Sequence, residues 1–143
     1  MTMEISVSLP LDVDGFLRRE CPTCGREFKW FSGRTDEVPD YYVYPDVHWC
    51  PLCGQSAPLD QWWTQAQLAY AQGVAAGPML DELASELGAA FTVEGHSVVP
   101  DPLIEPDDMA IIAGPCHPWE PVKVPEEAAA PFYCLVCGEA YAV

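Results

Sequence analysis

Cys21-Pro22-Thr23-Cys24-Gly25 and Cys50-Pro51-Leu52-Cys53-Gly54 decide how this chain folds. Each is a cysteine pair with two residues between, closed by a glycine. Twenty-five residues separate Cys24 from Cys50. Two intervening residues let one tight turn aim both sulfurs at a single point, and the following glycine permits a left-handed backbone conformation. Pro22 and Pro51 fix φ inside each turn and reduce the entropy lost on ordering it. Four thiolates at about 2.3 Å satisfy Zn²⁺ completely, so Cys21, Cys24, Cys50 and Cys53 are expected to form one closed tetrahedral site. Two other chemistries use such cysteines. Disulfides are one, but the chain has seven cysteines, an odd number that argues against a complete disulfide framework. A thioredoxin-type redox pair is the other, and it opens a helix within a βαβ pattern that is not seen here.

Working outward, short strands flank the pairs. Ile5, Val7 and Leu9 alternate with polar residues, which predicts a half-buried strand, and Asp14-Gly15 reads as a turn. Phe16–Glu20 and Glu27–Phe31 read as strands on either side of the first pair. Ser32 to Asp40 reads as a polar loop, and Tyr41–Tyr44 and Val47–Trp49 as strands leading to the second pair. A helical block follows, with Asp60 as expected N-cap and Trp62, Ala66, Ala69 and Tyr70 at helical spacing. Gly77-Pro78 interrupts it, and Leu80, Leu83, Leu87 and Phe91 form a second apolar stripe, read as core packing. Residues 91–99 read as a further strand, with His96 in no ligand pattern.

The last third repeats the theme. Cys134-Leu135-Val136-Cys137-Gly138 is a third knuckle, and Cys116-His117 sits in a Gly114-Pro115…Pro118 turn. Cys116, His117, Cys134 and Cys137 are expected to hold a second metal ion, because imidazole reaches farther than a thiol and allows adjacent ligands to share a centre. Glu120 lies three residues beyond His117, but no second acid or histidine accompanies it, so catalysis is not expected. His48 reads as a surface residue or a neighbour of the ligands. No phosphate loop, nucleophile elbow or HExxH motif is present.

The formal net charge is −16, from 22 acidic and 6 basic side chains. Such a surface repels nucleic acid and anionic membranes at long range. Five of the six basic residues, Arg18, Arg19, Arg26, Lys29 and Arg34, nevertheless fall in one 17-residue window containing only Glu20 and Glu27 as acids. Met1-Thr2-Met3-Glu4 lacks the basic start and apolar run of a secretory leader, and no apolar run reaches the length of a membrane span, so a reducing cytoplasm is expected.

The paired knuckles resemble the zinc-ribbon superfamily over roughly residues 16–58 and again 109–143. The layout is similar to small bacterial proteins with two such ribbons around a helical middle. That resemblance implies Zn²⁺ and an interaction role. The first site also resembles rubredoxin, in which Cys21, Cys24, Cys50 and Cys53 would map onto iron ligands and imply electron transfer. Arg26 stands after the first knuckle, where rubredoxin has an aromatic residue, and rubredoxin lacks the second site and the helical block.

The expected architecture is α+β, with two small zinc-ribbon β units joined by a helical segment. Residues 1–58 would be an N-terminal strand plus the first ribbon, 59–99 a helical segment with a following strand, 100–108 an acidic Pro-rich linker, and 109–143 the second ribbon. The expected function is a non-catalytic zinc-binding module. Arg18, Arg19, Arg26, Lys29, Trp30, Phe31 and Arg34 would form a basic-aromatic face for a macromolecular partner. Bases could stack on Trp30 or Phe31, but the overall acidity favours a protein over nucleic acid. The competing reading is a solvated basic face satisfied by the chain's own carboxylates.

Overall fold

The computed structural model describes residues 8–33, 35–75 and 101–143. The first strand residues (Ile5, Val7), Arg34, Gly77-Pro78, the Leu80–Phe91 stripe, the expected 91–99 strand and His96 lie outside the described residues. The chain divides into two units. One comprises Met1–Leu9 with Gln65–Ile104, and the other Pro10–Thr64 with Glu105–Val143. In the first, residues 65–75 are helical (α1). All strands among the described residues lie in the second.

That second unit contains β1 (Phe16–Glu20), β2 (Glu27–Phe31), β3 (Val47–Trp49), β4 (Ser56–Pro58), β5 (Met109–Ile112), β6 (Val122–Pro125), β7 (Phe132–Tyr133) and β8 (Ala140–Tyr141). They form a four-stranded antiparallel sheet in the order β1-β2-β6-β5 and two small hairpins, β3-β4 and β7-β8. The two halves expected to be separate ribbons therefore share one sheet. Its seam is the β2–β6 pairing, with Lys29 opposite Lys123 and Trp30 opposite Val122.

Side chains on an antiparallel strand alternate between faces, and residues directly opposite share a face. One face carries Phe28, Trp30, Val122 and Val124. Together with Trp62, Phe132, Leu135 and Val136 they build the core. Trp62 is fully buried, edge-on to Phe28 at 5.7 Å and to Trp30 at 5.9 Å. Its backbone carbonyl accepts a hydrogen bond from the Glu20 N–H at 2.9 Å. That bond ties Trp62 to the end of β1, outside any helix. The helix expected from Asp60 instead starts at residue 65, where Thr64 and Gln67 have the spacing of a capping box.

The other face carries a row of cations. Arg18, Lys29 and Lys123 stand side by side on β1, β2 and β6. Lys29 and Lys123 are fully buried. Such charges are tolerated only when paired. The turn before β1 supplies Asp12, whose Oδ2 accepts from Lys29 Nζ at 3.1 Å and from Lys123 Nζ at 2.8 Å. Its other oxygen accepts the Phe16 and Asp14 N–H groups at 3.0 Å each. Gly15 closes the same turn at φ +85°. The acidic stretch expected as a linker completes the network. Glu105 and Asp108 pair with Arg18, Asp107 and Asp14 with Lys123, and the Pro106 carbonyl accepts from Lys29.

Tyr41–Tyr44, expected as a strand, joins no ladder, whereas β4 forms from residues of low strand propensity because the second knuckle folds them back on β3.

Burial pushes the Asp12 carboxyl up, but the bonds from Lys123, Phe16, Lys29 and Asp14 outweigh it and hold it far below the ordinary 3.8. A depressed carboxyl contributes stability that is present above its unfolded pKa and lost as pH falls below it. Asp12→Asn keeps the turn's acceptor but leaves two buried ammonium groups short of a counter-charge. We expect it to destabilise the metal-loaded protein by about 3–5 kcal/mol at pH 7, measured by denaturant unfolding. The deficit should shrink as pH is lowered through the acid range, because protonation removes the same charge from the parent chain.

Candidate metal centres

Each knuckle is built by its backbone before any ion is considered. In the first, the Gly25 N–H donates to the Cys21 carbonyl at 2.9 Å, and Cys21 N–H to the Arg26 carbonyl at 3.0 Å. The second repeats this with Gly54 to Cys50 at 2.9 Å and Cys50 to Gln55 at 2.9 Å. The third repeats it with Gly138 to Cys134 at 2.8 Å and Cys134 to Glu139 at 2.9 Å. The closing glycines have φ of +72°, +78° and +76°, a region that other residues enter only at a cost. Main-chain N–H groups then point at sulfur. Thr23 and Cys24 donate to Cys21 Sγ at 3.3 and 3.4 Å, and Leu52 donates to Cys50 Sγ at 3.4 Å.

Two sets of ligand atoms converge, each within 4.8 Å of one another: Cys21, Cys24, Cys50 and Cys53, and Cys116, His117, Cys134 and Cys137. Tetrahedral coordination at about 2.3 Å per metal–sulfur bond requires sulfurs about 3.8 Å apart. Cys21 and Cys53 are 3.6 Å apart, and Cys24 and Cys50 3.9 Å. With a metal–nitrogen bond of about 2.0 Å the sulfur–nitrogen edge is about 3.5 Å. His117 Nδ1 lies 3.4 Å from Cys134 Sγ, and Cys116 Sγ lies 3.4 Å from Cys137 Sγ. Both groups therefore can hold a metal ion. The adjacent pair Cys116-His117 succeeds because the β5–β6 loop lets the imidazole turn its Nδ1 inward.

The thiols are set against one another until a cation joins them. Burial raises Cys50 and Cys53 above the ordinary 9.0, with neighbouring thiols adding to it. Burial likewise pushes Cys134 to about 12 and raises Cys116. Cys21 is also raised by burial, but the Cys24 and Thr23 N–H groups outweigh this and bring it down. A central cation reverses the penalty on the thiols of a site, which is why such clusters couple metal binding to folding.

The two candidate centres are joined by reciprocal contacts between the second and third knuckles. Trp49 N–H, just before Cys50, donates to the Leu135 carbonyl at 2.8 Å. Tyr133 N–H, just before Cys134, donates to the Pro51 carbonyl at 3.0 Å. The Trp49 ring covers Gly138 and the Tyr133 ring covers Gly54, so a Cβ at either glycine would lie 2.6 or 3.0 Å from ring carbon. An aromatic residue immediately before each knuckle was the available sequence signal for this docking.

The residues expected to form a basic-aromatic face are not together at the surface. Lys29 is fully buried in the Asp12 network, and Arg19 is only 4% exposed, its guanidinium 5.1 Å from the Trp30 ring and 5.8 Å from that of Trp63. Neither can form part of an exposed docking surface, because the sheet turns one into the ion-pair network and the other into the aromatic cluster. Arg18 is held by Glu105 and Asp108 at 2.7–3.1 Å. Arg26 is exposed, Trp30 and Phe31 are half-buried, and Arg34 lies outside the described residues. His48, read as a surface residue or a ligand neighbour, is buried edge-on to Trp30 at 4.8 Å, and burial lowers its pKa to about 4. The Glu120 N–H closes a turn on the His117 carbonyl at 3.0 Å. Asp12, Glu105 and Lys123 escaped the sequence reading. The signal was the pattern Phe28-Lys29-Trp30 and Val122-Lys123-Val124, which at period two sends each lysine away from its apolar neighbours.

No family model, curated protein or solved structure matches the chain. The case for zinc-ribbon-like units rests on the two ligand clusters themselves. Among the described residues, no helix is long and apolar enough to cross a membrane.

Gly25 and Gly138 share the left-handed conformation, but only Gly138 is covered by an aromatic ring. Gly25→Ala should cost about 1 kcal/mol from backbone strain alone. Gly138→Ala must in addition displace Trp49, and should cost about 2 kcal/mol or more and weaken metal retention at both centres. Denaturant unfolding and chelator competition measure the two. Equal effects would mean that the docking of the knuckles contributes nothing.

Proposed function

We propose that this chain is a zinc-binding, non-catalytic interaction protein, working in a reducing compartment and docking a protein partner rather than nucleic acid. One observation carries the reading: each centre brings four side-chain ligand atoms within 4.8 Å of one another, with separations of 3.6 and 3.9 Å in the first and 3.4 Å in the second. Four protein ligands leave no coordination position for water or substrate, so the ion serves as a staple. The ligands of each centre come from two hairpin loops, and the staple therefore fixes hairpins that have little core of their own. Zinc suits Cys₄ and Cys₃His sets and has no redox chemistry to manage.

The choice of a protein partner is supported by charge. Nucleic-acid binding draws its affinity from cations that neutralise phosphates. Here Lys29 and Lys123 are buried and Arg18 is bound to two carboxylates. The docking reading thus no longer leans on the expected basic face, of which Arg26 alone is exposed among the described residues.

A second reading has a specific observation in its favour. The N–H···S bonds to Cys21 and Cys50, with Cys24 at the exposed edge, suit an iron centre exchanging electrons with a partner. Elemental analysis and the visible spectrum of protein purified without added metal separate the two. The proposal expects two zinc ions per chain and no colour. Iron with strong visible absorbance that bleaches on reduction would replace it with electron transfer. One zinc would remove Cys116 and His117 from the ligand set.

A further inference from the structure

Residues 35–47 contain no lysine or arginine but four acids, Asp36, Glu37, Asp40 and Asp46. All four are exposed, and none makes an ion pair or hydrogen bond among the described residues. Between them Tyr41 and Val43 are 84% and 83% exposed, at the top of the range for large apolar side chains in this protein. The intervening Tyr42 and Tyr44 are half-buried. The Tyr42 N–H donates to the Pro39 carbonyl at 3.0 Å, a turn with Asp40 and Tyr41 at its centre.

The inward pair is anchored. Tyr42 and Tyr44 pack edge to face at 5.0 Å, and Tyr42 also meets Trp119 at 5.7 Å and the candidate ligand His117 at 6.1 Å. Thr35 Oγ1 donates to the Trp119 carbonyl at 3.0 Å, fixing the start of the segment to the same loop. The second metal centre thus braces this strip from beneath. On the outer side, the backbone groups of Tyr41 and Val43 make no hydrogen bond among the described residues.

We propose that residues 36–46 are a docking strip for a segment of a protein partner that carries lysine or arginine between apolar residues. The partner's apolar side chains cover Tyr41 and Val43, and its cations meet the four carboxylates. The chemistry of the strip fixes the sign of the partner. Unpaired carboxylates around exposed apolar groups repel an acidic segment and nucleic acid alike. The inference rests on the interaction-protein reading and gives it a surface and a partner class.

The test uses the full zinc-loaded chain and a short synthetic peptide alternating lysine and valine, with a glutamate-valine peptide as counterpart. Binding is followed by amide ¹H–¹⁵N shifts. The expected result is saturable shifts centred on Tyr41 and Val43 with the lysine peptide and none with the glutamate peptide. Y41A/V43A keeps the net charge and the zinc content and should weaken binding about tenfold. D36N/E37Q/D40N/D46N should weaken it by a similar factor and flatten its salt dependence. Shifts spread over the acidic surface, with Y41A/V43A binding as well as the parent, would overturn the strip as general electrostatic attraction. Shifts centred on Arg26, Trp30 and Phe31 would overturn the strip and leave the interaction reading standing. Loss of all shifts in both titrations would overturn the strip and remove the basic-segment partner with it. Self-association through Tyr41 and Val43, seen by sedimentation of the parent and absent in Y41A/V43A, would replace the basic segment with a second copy of this chain.

Discussion

Asp12 stands between two lysines that the sheet forces side by side. Pairing β2 with β6 puts Lys29 opposite Lys123, and both ammonium groups reach the same carboxylate oxygen. Two buried cations in that position oppose the pairing unless counter-charge is delivered into the same space. The turn at residues 10–15 and the stretch at residues 105–108 deliver it from segments far apart in the sequence. The four-stranded sheet is therefore conditional on segments that belong to none of its strands. An acidic, proline-rich stretch that looks like a spacer is part of the sheet's electrostatic closure.

The same sheet explains how two candidate metal centres become one unit. Each centre closes a pair of hairpin loops, which is a local operation. The β2–β6 seam joins the hairpins on one side, and the mutual hydrogen bonds of Trp49 and Tyr133 join them on the other. Each ring occupies the space above the other knuckle's glycine, so the left-handed turn that shapes a metal ligand also makes room for its neighbour's aromatic residue. Among the described residues the buried apolar set has twelve members, three of them cysteines of the candidate centres. A core that small relies on staples, and here the staples are embedded in it.

The parts of this arrangement that depend on nearby residues were legible in the sequence. Both ligand sets could be read because knuckle spacing is local chemistry, and β1, β2 and β3 because they abut knuckles. What depended on distant partners was not. The β2–β6 pairing joins residues more than ninety positions apart, and nothing within either strand announces it. Lys29 was grouped with its basic neighbours by counting charge in a window, although alternation already turned it away from Phe28 and Trp30. Tyr41–Tyr44 has the composition of a strand but no neighbour to pair with, while Ser56–Pro58 has poor composition and is held in register by a knuckle. Propensity yields to the availability of a partner in both cases.

Charge is distributed in this protein by role. The chain has 22 acidic and 6 basic side chains. Arg18, Lys29 and Lys123 are held in one ion-pair network, and the pairs of both lysines with Asp12 are buried on both sides, where loss of the carboxylate is severe. Metal centres built on three or four thiolates stay negative even when filled by a divalent ion. The outer surface is consequently left with a large excess of carboxylates and few cations to offset them, so surface ion pairs cannot be the source of stability. That places the burden on the buried ion pairs, the aromatic cluster and the two centres. It also determines what the surface can recognise. A protein that has turned its lysines inward presents negative charge to any approaching partner, and selectivity must come from where apolar side chains interrupt that charge.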